Sequence, residues 1–398
     1  MHHKKEIRLK PNPDWAKLPL FNRTGWRRMA FGEFAESIGD RAEPKDAQEE
    51  NYVGLEHLAS QCLHIRRWGK GSDVIGGKLR FRKGDIIFGK RRAYQRKLAV
   101  AEFDGICSAH ALVVRAKPDK VLPEFLPFLM MSDRFMNRAV EISVGSLSPT
   151  INWTTLKLEK FDLPPLDQQR RIAEILWAVD EAITRYKELS CGLDSDIVGK
   201  RKRFFEIGRR TTRRLGELFE VQLGKMLSQK SRTGEGAFRY LGNKNVQWGR
   251  FDFGEMLEMD FSPEERMKFS LRDGDLLVCE GGEVGRSAIW NPVFGECYYQ
   301  KALHRLRPLS DEIATTYMLE FMYWANERGL FSSLTGHSTI AHLPVVKLKR
   351  VEVPVASFEE QMAFVRELDS ARDGLRVVCD HIKDIRDLLQ SFLTKVFP

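Results

Sequence analysis

Cysteine is scarce and scattered: six in 398 residues, at positions 62, 107, 191, 279, 297 and 379. With no CxxC pair and no clustering, that spacing excludes a zinc ribbon or a disulfide framework and leaves reduced thiols. Long apolar runs are also missing. No stretch approaches the roughly 20 apolar residues that cross a bilayer, and the opening Met1-His2-His3-Lys4-Lys5 leads on without an apolar signal region, so a cytoplasmic protein with no membrane partner is expected. Catalytic signatures are absent as well: there is no GxxxxGK[ST] phosphate loop, no GxGxxG after a strand, no HExxH and no Asn/Asp-Pro-Pro-aromatic motif. "EGGEVGR" (280–286) is glycine-rich, but it lies between two strand-like runs, which favours a hairpin turn over a phosphate cradle. His57 and His64 have no carboxylate or thiol at ligand spacing. No catalytic residue and no metal ligand is expected in this chain.

What is present describes a soluble globular protein: 42% hydrophobic and 30% charged residues, with length for two domains or a little more. The net charge of +9 suits a polyanionic partner without requiring one. Lys200, Arg201, Lys202, Arg203, Arg209, Arg210, Arg213 and Arg214 crowd into fifteen residues opposed only by Glu206. Such a run is either a solvated helix end or a polyanion contact.

The chain is written twice. "FRKGDIIFGK" (81–90) returns as "LRDGDLLVCE" (271–280), matching Gly84-Asp85 to Gly274-Asp275, and "HALVVRAKPD" (110–119) answers to "KALHRLRPLSD" (301–311). "SPTINWTTLKLEKFDLPPLDQQ" (148–169) answers to "HSTIAHLPVVKLKRVEVPVASFEEQ" (337–361). A unit of about 190 residues is too long for a solenoid and indicates duplicated domains. Short strand-like runs separated by Gly, Pro, Asn and Asp, with a few helical pieces, predict an α+β fold for each. A long helix follows each one. Apolar residues stepping by four and three run from Ile172 to Phe204 and from Leu368 to Val396, interrupted in the first series by Ser190 and Lys200. A 3.5-residue period held for about four heptads makes a coiled-coil seam, and the order domain, helix, domain, helix predicts an antiparallel pair with a pseudo-twofold axis. The expected boundaries are 1–163 and 208–355 for the globular domains, and 164–207 and 356–398 for the helices.

Recognition residues are expected at the loop tips. After Gly84-Asp85 the first domain places Lys90, Arg91, Arg92, Tyr94, Arg96 and Lys97 between strands, with Ser146, Ser148, Thr150 and Asn152 in the serine-rich turn. Arginine forks read guanine edges or hold phosphates. The counterparts in the second domain are Glu280, Glu283, Arg286, Lys301, His337, Ser338, Thr339 and His342. A glutamate there accepts from cytosine, so a different base set is expected.

"LPPLDQQRRIAEIL" (163–176) resembles the motif that opens the central helix in specificity subunits of type I restriction-modification systems, and "VPVASFEEQMAFVREL" (353–368) resembles its degenerate second copy. "GDIIFGKRRAYQRK" and "GDLLVCEGGEVGRSAI" resemble variants of that family's target-recognition domains. The resemblance covers nearly the whole chain. It implies a non-catalytic subunit that binds double-stranded DNA at a split site, one half per domain, with the helices setting the unread spacer. It also implies docking of two methyltransferase subunits and, in the full complex, two restriction subunits, with S-adenosylmethionine, ATP and Mg held by those partners. Pro165, Leu166, Asp167, Gln169 and Ile172, with Phe358, Glu359 and Gln361 in the second copy, are the docking residues it suggests. Val355-Ala356-Ser357 departs from the first copy and implies an altered helix start. The alternative is a coiled-coil adaptor whose duplicated domains bind proteins, which leaves the arginine-rich loop unexplained; an enzyme with a hidden site has no motif behind it.

Overall fold

Each repeat's glycine-aspartate pair opens a central strand, and for the same reason in both. Gly84 and Gly274 adopt φ +91° and +82°, a left-handed conformation that side chains resist. The following aspartate caps the turn: Asp85 Oδ2 accepts the Arg82 amide at 2.8 Å, and Asp275 Oδ2 the Arg272 amide at 2.7 Å. The strands Ile86–Gly89 and Leu276–Cys279 follow at once, every residue buried.

The computed structural model describes residues 19–207, 210–228, 236–293, 295–335 and 342–398. It divides into two compact units, Met1–Lys187 with Asp380–Pro398, and Glu188–Cys379. In the first unit Ala35–Ile38, Ala111–Ala116, Ile86–Gly89 and Leu98–Val100 form an antiparallel sheet in that spatial order. Phe219–Leu223, Leu303–Pro308, Leu276–Cys279 and Ser287–Ile289 repeat it in the second. A two-stranded ribbon also recurs, Arg27–Ala30 with Lys160–Leu163 and Thr211–Arg214 with Glu352–Val355. The outer sheets differ. The first unit adds five strands, Arg41–Ala42, Lys78–Phe81, Gly105–Cys107, Asn51–Val53 and Gly69–Lys70, whereas the second adds Leu257–Asp260, Ala237–Leu241 and Tyr298–Tyr299.

Phe31, Phe34, Phe88, Phe125, Phe128 and Phe135 are fully buried in the first core, and Phe219, Tyr317 and Phe321 in the second. Burying such a side chain contributes about 1.5–3 kcal/mol. One ion pair locks each central sheet. Arg115 grips Asp85 through two bonds of 2.7 and 2.8 Å, and Arg307 grips Asp275 through bonds of 2.8 and 2.7 Å. Both carboxylates are buried, so losing either arginine strands a buried charge at a cost of about 3–5 kcal/mol.

The long helices are Leu166–Glu206 and Phe358–Val396. Inside the first unit Ile172 and Leu176 share a core with Leu393 and Val396, and the Tyr186 ring lies 5.6 Å from His381. Inside the second, Ser190 Oγ lies 3.9 Å from Cys379 Sγ, Lys200 Nζ lies 3.1 Å from Glu367, and Phe204 stacks on Phe364 at 3.9 Å. In both units advance along one helix meets retreat along the other, so the segments pack antiparallel. The seam residues from Ile172 to Phe204 and from Leu368 to Val396 are buried or half-buried, as the 3.5-residue period requires.

The basic run at 200–214 falls on the helix end, up to Glu206, and on the strand Thr211–Arg214. Arg201 is buried between Glu320 at 3.0 Å and Glu327 at 2.7 Å, Lys200 also holds Asp196 at 2.8 Å, and Arg213 pairs with Glu312. The Arg210 guanidinium lies 3.9 Å from the centre of the Phe204 ring. Lys202 and Arg214 stay exposed, and Arg209 lies outside the described residues. Most of this charge neutralises carboxylates or stacks on aromatic rings within its own unit.

Candidate nucleic-acid interface

The first tip is assembled from two stretches about 55 residues apart in sequence. As the strand Ile86–Gly89 ends, the Lys90 amide donates to His110 O at 3.1 Å, and Lys90 O accepts the Ile151 amide at 2.9 Å. Arg91 bridges to Thr150. The Arg92 amide donates to Pro149 O at 2.7 Å, and its Nε to Ser148 Oγ at 3.3 Å. The structure thus joins the basic loop to the serine turn. Arg91, Arg92, Tyr94, Ser146 and Asn152 are exposed, while Lys90, Ser148 and Thr150 are half-buried.

Arg96 and Lys97 are already engaged within the unit. Arg96 pairs with Asp133 and donates to Asn137 Oδ1 at 3.0 Å, while Lys97 Nζ donates to Leu55 O at 2.7 Å. These two cations brace the tip.

The second tip has the same frame and different chemistry. Gly281 bridges to His342 where Arg91 bridges to Thr150, and the Leu343 amide donates to Glu280 O at 2.8 Å. Its side chains turn inward more than expected. Glu280 is only 8% exposed, Glu283 Oε1 accepts the Trp248 indole N–H at 2.6 Å, and Arg286 Nη2 donates to Asn243 O at 2.9 Å. Glu283 and Arg286 therefore brace the tip, and only part of their capacity remains for a ligand. Lys301 and His342 are exposed, while His337, Ser338 and Thr339 lie outside the described residues. Glu280 Oε2 and His304 Nδ1 are buried without a hydrogen-bond partner. His304 Nε2 donates to Leu343 O at 2.8 Å, so in the neutral ring Nδ1 is a bare acceptor. Burial drives the His304 pKa below its ordinary value, against smaller opposing effects of the Leu343 carbonyl and Glu280. Arg286 Nε is likewise buried without a partner, so the site leaves a donor as well as acceptors unsatisfied.

Three of the expected docking residues face inward. Gln169 Nε2 donates to Pro164 O at 2.9 Å and Lys120 O at 3.0 Å, and its Oε1 accepts the Leu122 amide at 2.8 Å. Gln361 Nε2 donates to Ala356 O and Glu312 O, and its Oε1 accepts the Ala314 amide, all at 2.9 Å. The two glutamines are 1% and 0% exposed and Ile172 is 0% exposed. Each glutamine latches a long helix to its own globular domain, a role that a pattern of glutamine near proline does not reveal. Pro165, Leu166, Asp167, Phe358 and Glu359 remain on the surface. The helix starts do differ: the second uses reciprocal Ser357–Glu360 bonds of 3.0 and 3.3 Å, a capping box. At the first, Gln168 Nε2 donates to Leu20 O and Asn22 O at 2.8 and 2.9 Å.

A further tie in the first unit escapes sequence reasoning because its members lie far apart. His64 bridges Glu102 at 2.5 Å and Asp180, on the long helix, at 2.6 Å. The hydrogen bond to Asp180 holds its pKa above the ordinary value, opposed by burial and reinforced by Glu102.

Two copies of one mixed fold, each latched to a long helix and each closing its tip in the same way around different side chains, define a two-headed recognition protein. The chain belongs to the family of the type I restriction modification DNA specificity domain, which it matches twice, over residues 24–190 and 210–375. It is 31% identical over 172 residues to the type I restriction enzyme EcoDI specificity subunit of Escherichia coli, a match covering 40% of this chain and 36% of that subunit. Its fold is similar to a chain solved in work on complex assembly and conformational transition of the type I restriction-modification system. There the TM-score is 0.62 at 23% identity, covering 94% of this chain and 97% of that one. The type I restriction-modification S subunit from M. genitalium gives a TM-score of 0.58 at 15% identity, covering 94% and 96%.

Proposed function

We propose that this chain is the sequence-reading subunit of a type I restriction-modification complex, binding double-stranded DNA at a bipartite site with one half-site per globular domain. The observation that carries this is the repeated tip closure, Arg91 to Thr150 and Gly281 to His342, which presents exposed guanidinium groups in one copy and different exposed side chains, Lys301 and His342, in the other. Arg91 and Arg92 suit guanine edges and phosphates, whereas a carboxylate such as Glu280 suits the exocyclic amine of cytosine. The long helices set the unread spacer. The surface around Leu166 and Asp167 in one unit and that around Phe358 and Glu359 in the other each meet a methyltransferase subunit, two per complex, and two restriction subunits complete it. S-adenosylmethionine, ATP and Mg belong to those partners, and the assembly works in the cytoplasm. Among the described residues no helix is long and apolar enough to cross a membrane.

Methylome sequencing of cells carrying this chain with its methyltransferase partner tests the reading. The expected result is one discontinuous modified sequence that disappears when this chain is deleted. Methylation unchanged by the deletion refutes it, and binding to a protein partner that is indifferent to salt and to added DNA favours the adaptor instead.

A further inference from the structure

Leu147 is 93% exposed, although leaving a leucine side chain in water forfeits the stabilisation that burial brings. The loop carrying it is well braced. Val144 and Thr150 exchange backbone bonds of 3.0 and 2.9 Å across its base, and Gly145 makes the turn at φ +113°. Thr150 Oγ1 donates to Ser148 O at 3.1 Å, and Pro149 O holds the Arg92 amide at 2.7 Å. Leu147 therefore stands at the end of a fixed tip.

Its surroundings select the kind of partner. Arg92 Nε reaches Ser148 Oγ at 3.3 Å, Arg91 bridges to Thr150 in the same tip, Arg91 and Tyr94 are exposed, and neither 89–97 nor 142–152 contains a carboxylate. A positive rim suits phosphate, whereas the point within it is apolar. On the major-groove edges of DNA, the apolar feature is the C5-methyl group of thymine.

We propose that Leu147 is a specificity-determining residue that packs against the C5-methyl of a thymine in the half-site read by the first domain. The inference rests on the DNA-recognition reading above and adds a base identity to it.

Thymine-to-uracil replacement removes that methyl group and nothing else. With the assembled complex and its mapped site, each thymine of the first half-site, on either strand, is replaced singly by uracil, and binding of the wild type is compared with that of Leu147→Ala. One replacement is expected to weaken wild-type binding about fourfold, equivalent to ~0.8 kcal/mol for one buried carbon. The same replacement should leave the Leu147→Ala complex unchanged, and replacements in the second half-site should affect both proteins alike. A first half-site without any A·T pair overturns the inference, as does an equal uracil penalty in both proteins. A gain in 2-aminopurine fluorescence on wild-type binding that is lost in Leu147→Ala also overturns it, because it marks insertion between bases. A wild-type complex that binds no discontinuous DNA at all refutes the underlying reading itself, a result distinct from the other three.

Discussion

Replacing Gln169 and Gln361 tests whether the helices are held to their domains by the bonds assigned to them. Each amide donates to two carbonyls and accepts one backbone N–H inside its own unit. Methionine keeps the length and removes all three bonds. Each bond is worth about 0.5–1.5 kcal/mol net, and a stranded Leu122 or Ala314 N–H costs about 1–3 kcal/mol, so Gln169→Met should destabilise its unit by about 2–4 kcal/mol. Glutamate keeps the acceptor for the N–H but turns a second acceptor toward two carbonyl oxygens. With a buried charge uncompensated, Gln169→Glu should cost more, about 3–5 kcal/mol. Urea unfolding measures both changes, and by heat each kcal/mol lowers Tm by about 2–4 °C for a unit of this size. The Gln361 variants should reproduce the pattern, and the double variant should be additive because the two latches share no partner. A Gln169→Glu protein as stable as Gln169→Met would refute the donor assignment. A Gln169→Met protein within about 0.5 kcal/mol of wild type would refute the latch.

Other expectations follow from the same geometry. Because His64 has its pKa raised in the folded state, its contribution is complete below its ordinary value of 6.5 and is lost as pH rises through the higher folded value. The first unit should therefore lose stability as pH rises above that ordinary value, and thermal unfolding of His64→Gln should show a flatter pH profile; identical profiles would rule out the tie to Asp180 and Glu102. Arg91→Ala should weaken binding to the first half-site by about 1–3 kcal/mol and reduce the salt slope by about 1. Arg96→Ala should instead lower stability through Asp133 and Asn137, so a pure specificity change in that variant would contradict its bracing role. Inserting one heptad into each long helix, about 10 Å of rise, should lengthen the methylated site's unread spacer by about three base pairs with both half-sites kept, and an unchanged spacer would remove the helices from that function.

Where pattern and partner lie close together, the sequence is readable. The 3.5-residue series from Ile172 and from Leu368 identifies the helices and their seam because period alone decides which face is buried. Gly84-Asp85 and Gly274-Asp275 mark the central strands because a turn needs those residues locally. Long-range partners are another matter. Asp133 engages Arg96, and the carbonyls of Lys120 and Glu312 draw Gln169 and Gln361 inward, yet none of these acceptors is near in sequence. Charge can be counted from residues, but which cations are already engaged is set by tertiary placement. Arg201 and Lys200 show the same limit within the basic run.

The same backbone position in the two tips shows how reading trades against stability. Arg92 adopts φ +57°, and Gly282, its counterpart 190 residues on, adopts φ +68°. Both copies need a left-handed residue there; the second meets the need with glycine, while the first keeps an arginine, although left-handed backbone costs a non-glycine residue about 1–2 kcal/mol. The bonds from Arg92 to Pro149 O and Ser148 Oγ hold the conformation in place. Alanine and glycine both remove the guanidinium and its bond to Ser148, but only glycine relieves the backbone, at some entropic cost in the unfolded chain. Arg92→Gly should therefore be more stable than Arg92→Ala by about 0.5–1 kcal/mol in urea unfolding, while both bind the first half-site equally weakly. If Arg92→Ala were the more stable, the strain would be absent. If either variant bound DNA as wild type does, the strain would exist without serving recognition.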